Sequence, residues 1–182
     1  MLVLGLDPSS TSTGYGVVCA EGRALTLVDC GCIRPPKGAG DFAGRLAVLD
    51  DGLAELLSRS RPEAVALESS FYGRDADAAA KLGEARGVLR LRLHKAGYSP
   101  ALYSPAEVKK AVVGNGQATK EQVQSMVARL LRMDELPTPL DASDALAVAV
   151  CHLHRSRRPS AMEAVGVRKP EVQALLRRVV NR

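Results

Sequence analysis

The sequence predicts an α/β domain built on a five-stranded mixed sheet flanked by helices. Three observations carry that reading. Residues 1–33 hold three apolar stretches separated by short polar turns, with no helical pattern between them, which marks an antiparallel meander. From residue 41 onward, helical periodicity alternates with short buried strands, and strand–helix–strand order implies parallel pairing. The last core helix is almost entirely apolar from Ala145 to Val150 and therefore belongs in the interior.

Residues 2–6, Leu-Val-Leu-Gly-Leu, form an unbroken apolar run that reads as a strand buried on both faces. Asp7 ends the run and Pro8 follows at once, so a carboxylate stands where a buried strand leaves the sheet. Burying that group without a partner is costly, although an Asp can also serve only to bond its own turn. Residues 9–13 make a small polar turn, residues 15–19 a second strand, and residues 25–33 a third. Cys30 and Cys32 lie two apart on one strand face and read as packing residues. Residues 34–40, rich in Pro and Gly, form a loop.

Asp41 caps the first helix, where Phe42, Leu46, Leu49, Leu53, Leu56 and Leu57 line one stripe until Arg61-Pro62 stops it. Residues 64–67 are a short buried strand that also ends on an acid, Glu68. Parallel pairing places Asp7 and Glu68 on the same edge of the sheet. Phe71 and Tyr72 follow, in a chain with two Phe and four Tyr; they either fold back on the core or face a ligand.

Asp75 opens a second helix to about Lys95, containing Ala78, Ala79, Ala80, Gly83, Ala85 and Gly87. A mid-helix Gly costs about 1 kcal/mol relative to Ala. Gly83 and Gly87 share a face, so close approach by another helix, of this chain or of a second subunit, is the compensation. Arg86, Arg90, Arg92 and Lys95 line the later turns as a solvated or a phosphate-facing surface. Residues 101–103 give the fifth strand.

Two capping boxes follow: Ser104-Pro105-Ala106-Glu107 opens a helix ending at Gly114, and Thr119-Lys120-Glu121-Gln122 opens another to about Met133. Lys109, Lys110 and Lys120 flank the loop between them, either holding phosphates or standing as ordinary solvated lysines. The last core helix carries Asp141 and Asp144 in its first turn, on one face. Capping and the helix dipole explain one of them, but not two on a buried helix.

Composition sets the outer bounds. The chain has 182 residues, 46% hydrophobic and 25% charged, as expected of one soluble domain with a full core. No apolar run approaches a membrane span, and the N-terminus lacks a signal-peptide pattern. The four cysteines form no Cys-x-x-Cys pair and read as reduced residues of a cytosolic protein. Of the net charge of +5, residues 155–182 supply +6 from eight Lys/Arg against two Glu, leaving −1 for the rest. The expected division is a domain over residues 1–155 and a basic tail over 156–182, either flexible or forming a short amphipathic helix over residues 172–180, where apolar residues are few and Pro170 precedes.

Asp7, Glu68, Asp141 and Asp144 are four acids at strand ends and a helix start. Their convergence would raise their pKa values unless cations neutralise them. Hard divalent ions suit such oxygen donors, and a pair about 3.5–4 Å apart is the usual arrangement for phosphodiester cleavage. No His/Cys set has zinc spacing and no Ser-His-Asp set is suggested. His94, His152 and His154 fall on helix faces, with His152 or His154 beside the acids as the one open alternative.

Gly5-Leu6-Asp7-Pro8, Thr13-Gly14-Tyr15-Gly16, Leu67-Glu68, Lys81-Leu82-Gly83-Glu84-Ala85-Arg86-Gly87, Val112-Val113-Gly114 and Asp141-Ala142-Ser143-Asp144-Ala145-Leu146-Ala147 together resemble RuvC-type Holliday-junction resolvases in order and spacing. The resemblance spans residues 1–155. It implies a ribonuclease-H-like fold, a homodimer, Mg²⁺ or Mn²⁺ as a pair of ions in each active site, and paired nicks across four-way junction DNA in recombination and repair. It also implies a bacterial, cytoplasmic setting and a RuvA/RuvB-type branch-migration complex as partner. By position, Asp7, Glu68, Asp141 and Asp144 look like the catalytic, metal-holding quartet. Phe71 is similar to the aromatic at the junction centre, and Lys109 and Lys120 to DNA-contacting positions.

Two departures stand out: Ser9 where Gly is common after Asp-Pro, and Ser69-Ser70 in place of Gln and an apolar residue. Residues beyond 155 carry no family pattern. Sugar kinases and actin-like ATPases share the fold type but need two such domains around a cleft. An RNA-processing nuclease is a nearer alternative. A junction-binding module without catalysis is opposed by the complete set of acids.

Overall fold

A computed structural model of the protein describes residues 1–9, 11–36, 38, 40–69 and 75–156. The elements run β1 (Leu2–Pro8), β2 (Thr13–Glu21), β3 (Ala24–Ile33), α1 (Phe42–Ser60), β4 (Ala64–Glu68), α2 (Ala76–Lys95), β5 (Ala101–Tyr103), α3 (Pro105–Val113), α4 (Lys120–Leu131) and α5 (Leu140–Ser156). The strand order is β3-β2-β1-β4-β5, antiparallel across the first three and parallel from β1 through β4 to β5. This is the expected mixed sheet. β1 runs further than its apolar stretch suggests, because Asp7 and Pro8 still pair with Gly14 and Thr13 of β2.

The helix starts follow from their caps. Asp41 accepts from the Gly44 amide, Asp75 from the Asp77 and Ala78 amides, and Ser104 and Thr119 each complete a capping box. α1 and α2 cover one face of the sheet, burying Leu49, Leu53, Leu56, Leu89 and Leu93 against Leu4, Leu6, Val17 and Leu67. α3, α4 and α5 cover the other, with Val3, Val18 and Ala66 beneath them.

Strand alternation then decides what faces α5. Val3, Gly5 and Asp7 share one face of β1, while Leu4 and Leu6 share the other. The paired positions on β2 are Val18, Gly16 and Gly14. A Cβ at Gly5 would stand 2.2 Å from the Ala145 carbonyl oxygen, and one at Gly14 would stand 2.0 Å from that of Asp141. The glycines therefore form a trough in which α5 lies with its backbone against the sheet. Ten of the 17 residues of α5 are buried.

Gly83 and Gly87 behave differently. A Cβ at either would meet nothing within 4 Å, so no helix of the described chain packs on this face of α2. Leu91, one turn further on, is 54% exposed. Phe71, Ser70 and Tyr72 lie outside the described residues, as does the tail from 157 onward. Among the described residues no helix is long and apolar enough to cross a membrane.

Candidate active site

The register of β1 on β4 pairs Gly5 with Ala66 and Leu6 with Leu67, and the next residues along are Asp7 and Glu68. Both carboxyls thus leave adjacent parallel strands at the same end and on the α5 face, where they hydrogen-bond each other. α5 begins above this end of the sheet and adds Asp144, whose charge acts on both. Lys120, the first residue of α4, reaches in with Nζ 3.0 Å from Asp144 Oδ2. Capping at Thr119 fixes where that lysine emerges.

The electrostatics follow from crowding acids in a water-poor place. Asp7 is pushed up to about 9, first by burial, then by its hydrogen bond to Glu68 and by the charges of Glu68 and Asp144. Glu68 also moves up from its ordinary value, chiefly through burial. The pair accordingly holds a proton well above the ordinary carboxylate range. Lys120 also moves up from its ordinary value, its ammonium stabilised by the hydrogen bond and charge of Asp144 and then by Asp7 and Glu68. Arg86 of α2 donates from Nη1 to the Glu68 carbonyl at 2.5 Å, tying the end of β4 to the helix behind it.

Asp141 stands apart from this group. Its Oδ2 accepts from the Ser12 hydroxyl at 2.9 Å, lies 3.7 Å from Cys32 Sγ, and pairs with Arg34 at 3.7 Å. The helical spacing put both aspartates on one face; the structure turns Asp144 toward Lys120 and Asp141 toward β2 and β3. Asp141 is not the helix cap either, since the Pro139 carbonyl receives the Ala142 and Ser143 amides. Lys109 lies on α3, and among the described residues it forms no ion pair with the acids. His152 bonds the Tyr103 hydroxyl at 2.9 Å and His154 the Ala111 carbonyl at 3.0 Å, both at the far end of α5.

Four residues around the acids were not singled out as site residues by the sequence: Ser12, Cys32, Arg34 and Arg86. Cys32 was read as packing, yet its register opposite Gly14 brings it beside Asp141. Its pairing partner was the only available signal, and a register cannot be read without the structure.

The donor set is all oxygen and carries several negative charges, which suits hard divalent cations. Among the described residues no three such side chains are already gathered round one cation position. The Asp7–Glu68 proton and the Lys120 ammonium supply the compensating positive charge. A cation that displaces them meets ligands of the right kind, so the residues fit it.

A mixed five-stranded sheet with acids at the ends of two central strands and on the helix crossing them defines the chain as a ribonuclease-H-like nuclease. The family model of "Crossover junction endodeoxyribonuclease RuvC" matches residues 3–152. A protein of that description from Chlorobaculum parvum is 48% identical over 156 residues, covering 85% of this chain and 82% of its own. One from Alkalilimnicola ehrlichii is 47% identical over 164 residues, covering 90% and 98%. The structure of T. thermophilus RuvC in complex with Holliday junction substrate superposes with a TM-score of 0.80 at 35% identity, over 86% of this chain and 95% of that one. The chain belongs to the RuvC family of crossover junction endodeoxyribonucleases.

Proposed function

We propose that the chain resolves four-way DNA junctions by paired, symmetric nicks, with Asp7, Glu68, Asp141 and Asp144 as catalytic, metal-holding acids. The observation that carries this is the convergence of Asp7, Glu68 and Asp144, with Asp7 pushed up to about 9 by burial and its acidic neighbours. Acids forced together at the end of a buried sheet destabilise the fold unless something positive occupies them. Asp7 and Glu68 hold one position from the strand ends, Asp144 adds to it from the helix, and Asp141 offers a separate oxygen. Two Mg²⁺ or Mn²⁺ ions in such a site make water a nucleophile near neutral pH and neutralise the leaving oxygen. Lys120, released from Asp144 when cations arrive, and Lys109 hold backbone phosphates of the junction. Phe71, in the segment after β4, stacks on bases at the open crossover.

The test is direct. A synthetic four-way junction, a linear duplex and an RNA–DNA hybrid are incubated with the protein, with Mg²⁺, with Mn²⁺ and in chelator. Paired nicks on the junction alone, dependent on the ions, are expected. Cleavage of the hybrid in preference would favour an RNA-processing nuclease; tight junction binding without cleavage would favour a binding module.

Paired nicks need two equivalent sites, and a four-way junction has near-twofold symmetry, so the working unit is a homodimer. The open Gly83/Gly87 face of α2 with exposed Leu91 supports a contact there. Gly83→Phe should shift sedimentation toward monomer and uncouple the two nicks; an unchanged dimer would move the contact elsewhere. The tail's seven basic residues against two acidic ones should add sequence-independent affinity. Deleting residues 156–182 should flatten the dependence of binding on log salt without removing junction preference. We place the reaction in the bacterial cytoplasm, after a RuvA/RuvB-type branch-migration complex.

A further inference from the structure

We propose that Ser12 is a positioning residue that holds Asp141 for a cation, and that Ser9 buttresses it. This rests on the reading of Asp141 as a metal-holding acid. Among the described residues three groups bond or pair with the Asp141 carboxylate, all at Oδ2: Ser12 Oγ at 2.9 Å, Cys32 Sγ at 3.7 Å and Arg34 at 3.7 Å. Arg34 is 62% exposed and too far for a hydrogen bond, so its hold is weak. The Cys32 thiol is a poor donor at that separation. Ser12 is the one close, buried donor, with 3% exposure. A hydroxyl has one proton, and here it goes to the carboxylate.

Ser9 explains why Ser12 stays in place. Its Oγ accepts the Ser12 amide at 3.0 Å and the Thr11 amide at 3.3 Å, and donates to the Ser12 carbonyl at 2.9 Å. The same Oγ lies 3.1 Å from Ser12 Oγ, and the Ser9 amide bonds the Ser12 carbonyl at 2.8 Å. A glycine at position 9 would keep only the last of these bonds. The departure from the Asp-Pro-Gly pattern thus fixes the Ser12 backbone through Ser9 Oγ, and the Ser12 hydroxyl then links the turn after β1 to Asp141 in the first turn of α5. Ser12 thus holds the Asp141 carboxylate by Oδ2, on partners different from those of the Asp7–Glu68–Asp144 group. That separation is what a second cation needs if it is not to compete with the first.

The test uses Ser12→Ala, Ser12→Thr and Ser9→Gly, with Asp141→Asn as reference. Mn²⁺ binding to the DNA-free protein is followed by electron paramagnetic resonance, alongside the metal dependence of junction cleavage, and junction affinity and melting temperature in chelator. Ser12→Ala should weaken the Asp141-dependent Mn²⁺ binding and raise the metal concentration for half-maximal cleavage, each about tenfold, as loss of an outer-shell partner does. Junction affinity in chelator should stay within about twofold of the parent, as a partner that acts only through the metal site implies. Ser12→Thr should restore metal binding, and Ser9→Gly should weaken it by less than Ser12→Ala. If Asp141→Asn weakens Mn²⁺ binding but Ser12→Ala does not, the positioning role is overturned and the site reading survives. No change in either variant overturns the metal-holding role of Asp141 and this proposal with it. If Ser12→Ala does not fold, Ser9→Gly decides, and unchanged Mn²⁺ binding there overturns the proposal.

Discussion

Asp7→Asn is expected to melt higher than the parent chain in chelator while cutting four-way junctions slower by orders of magnitude. The amide keeps the shape of the side chain and removes the charge that burial, Glu68 and Asp144 all oppose. Because the folded state holds the Asp7 proton up to about pH 9, against 3.8 ordinarily, the folded chain binds that proton more tightly than the unfolded one. Stability should therefore fall as pH rises between those two values, and be unaffected by this group below the lower one. Melting curves in chelator from pH 5 to pH 9 should slope downward for the parent and run flatter for Asp7→Asn. Parallel slopes would show that Asp7 is not the group carrying the proton. Near-normal cleavage by a folded Asp7→Asn would sink the proposed metal-dependent acid site, in which activation of water depends on ions held by these carboxylates.

Gly5→Ala and Gly14→Ala should each lower the melting temperature by more than about 6 °C. Overpacking costs about 1–3 kcal/mol and sometimes more, and each kcal/mol moves a domain of this size by about 2–4 °C. These substitutions belong at the upper end because the added methyl meets backbone carbonyls of Ala145 and Asp141, at 2.2 and 2.0 Å, rather than side chains that can turn aside. α5 has to lift for either to fit. Gly14→Ala should also lose cleavage at temperatures where it remains folded, because the lifted turn carries Asp141 itself. Calorimetry and cleavage on the same preparations test both; a Gly14→Ala protein as stable and active as the parent would show that the trough is not what seats the helix.

Local chemistry made much of the fold legible. Asp41, Asp75, Ser104 and Thr119 were all readable as caps because a cap and its amides lie within three residues of each other. Asp7 and Glu68 were readable as neighbours because parallel pairing and a two-residue side-chain period leave little freedom. What depended on distant partners was not readable. Gly5 and Gly14 look like ordinary strand glycines until the helix from residues 140–156 is laid over them. Asp141 and Asp144 share a face by helical spacing, yet their side chains part because Ser12 stands 129 residues from one and Lys120 stands 24 from the other. From the sequence Lys120 reads as a phosphate contact or a solvated lysine, and nothing there places it on Asp144. Gly83 and Gly87 were read as a contact face, and the folded chain leaves that face open.

The seating of α5 has a consequence for motion. From Ala145 to Cys151 every residue of the helix is buried, against β1 and β2 on one side and α3 and α4 on the other. A helix so enclosed has no low-energy way to slide, turn or fray independently, and opening it means opening the domain. Amide hydrogens of that stretch should exchange only through global unfolding, at the slowest rates in the chain. Asp144 therefore sits at the head of this enclosed stretch, while Lys120 and Arg34, at 65% and 62% exposure, reach Asp144 and Asp141 respectively from the solvent side. Under the proposed function, adjustment to an irregular nucleic acid would fall to long cationic arms such as Lys120, with the acids beneath holding still.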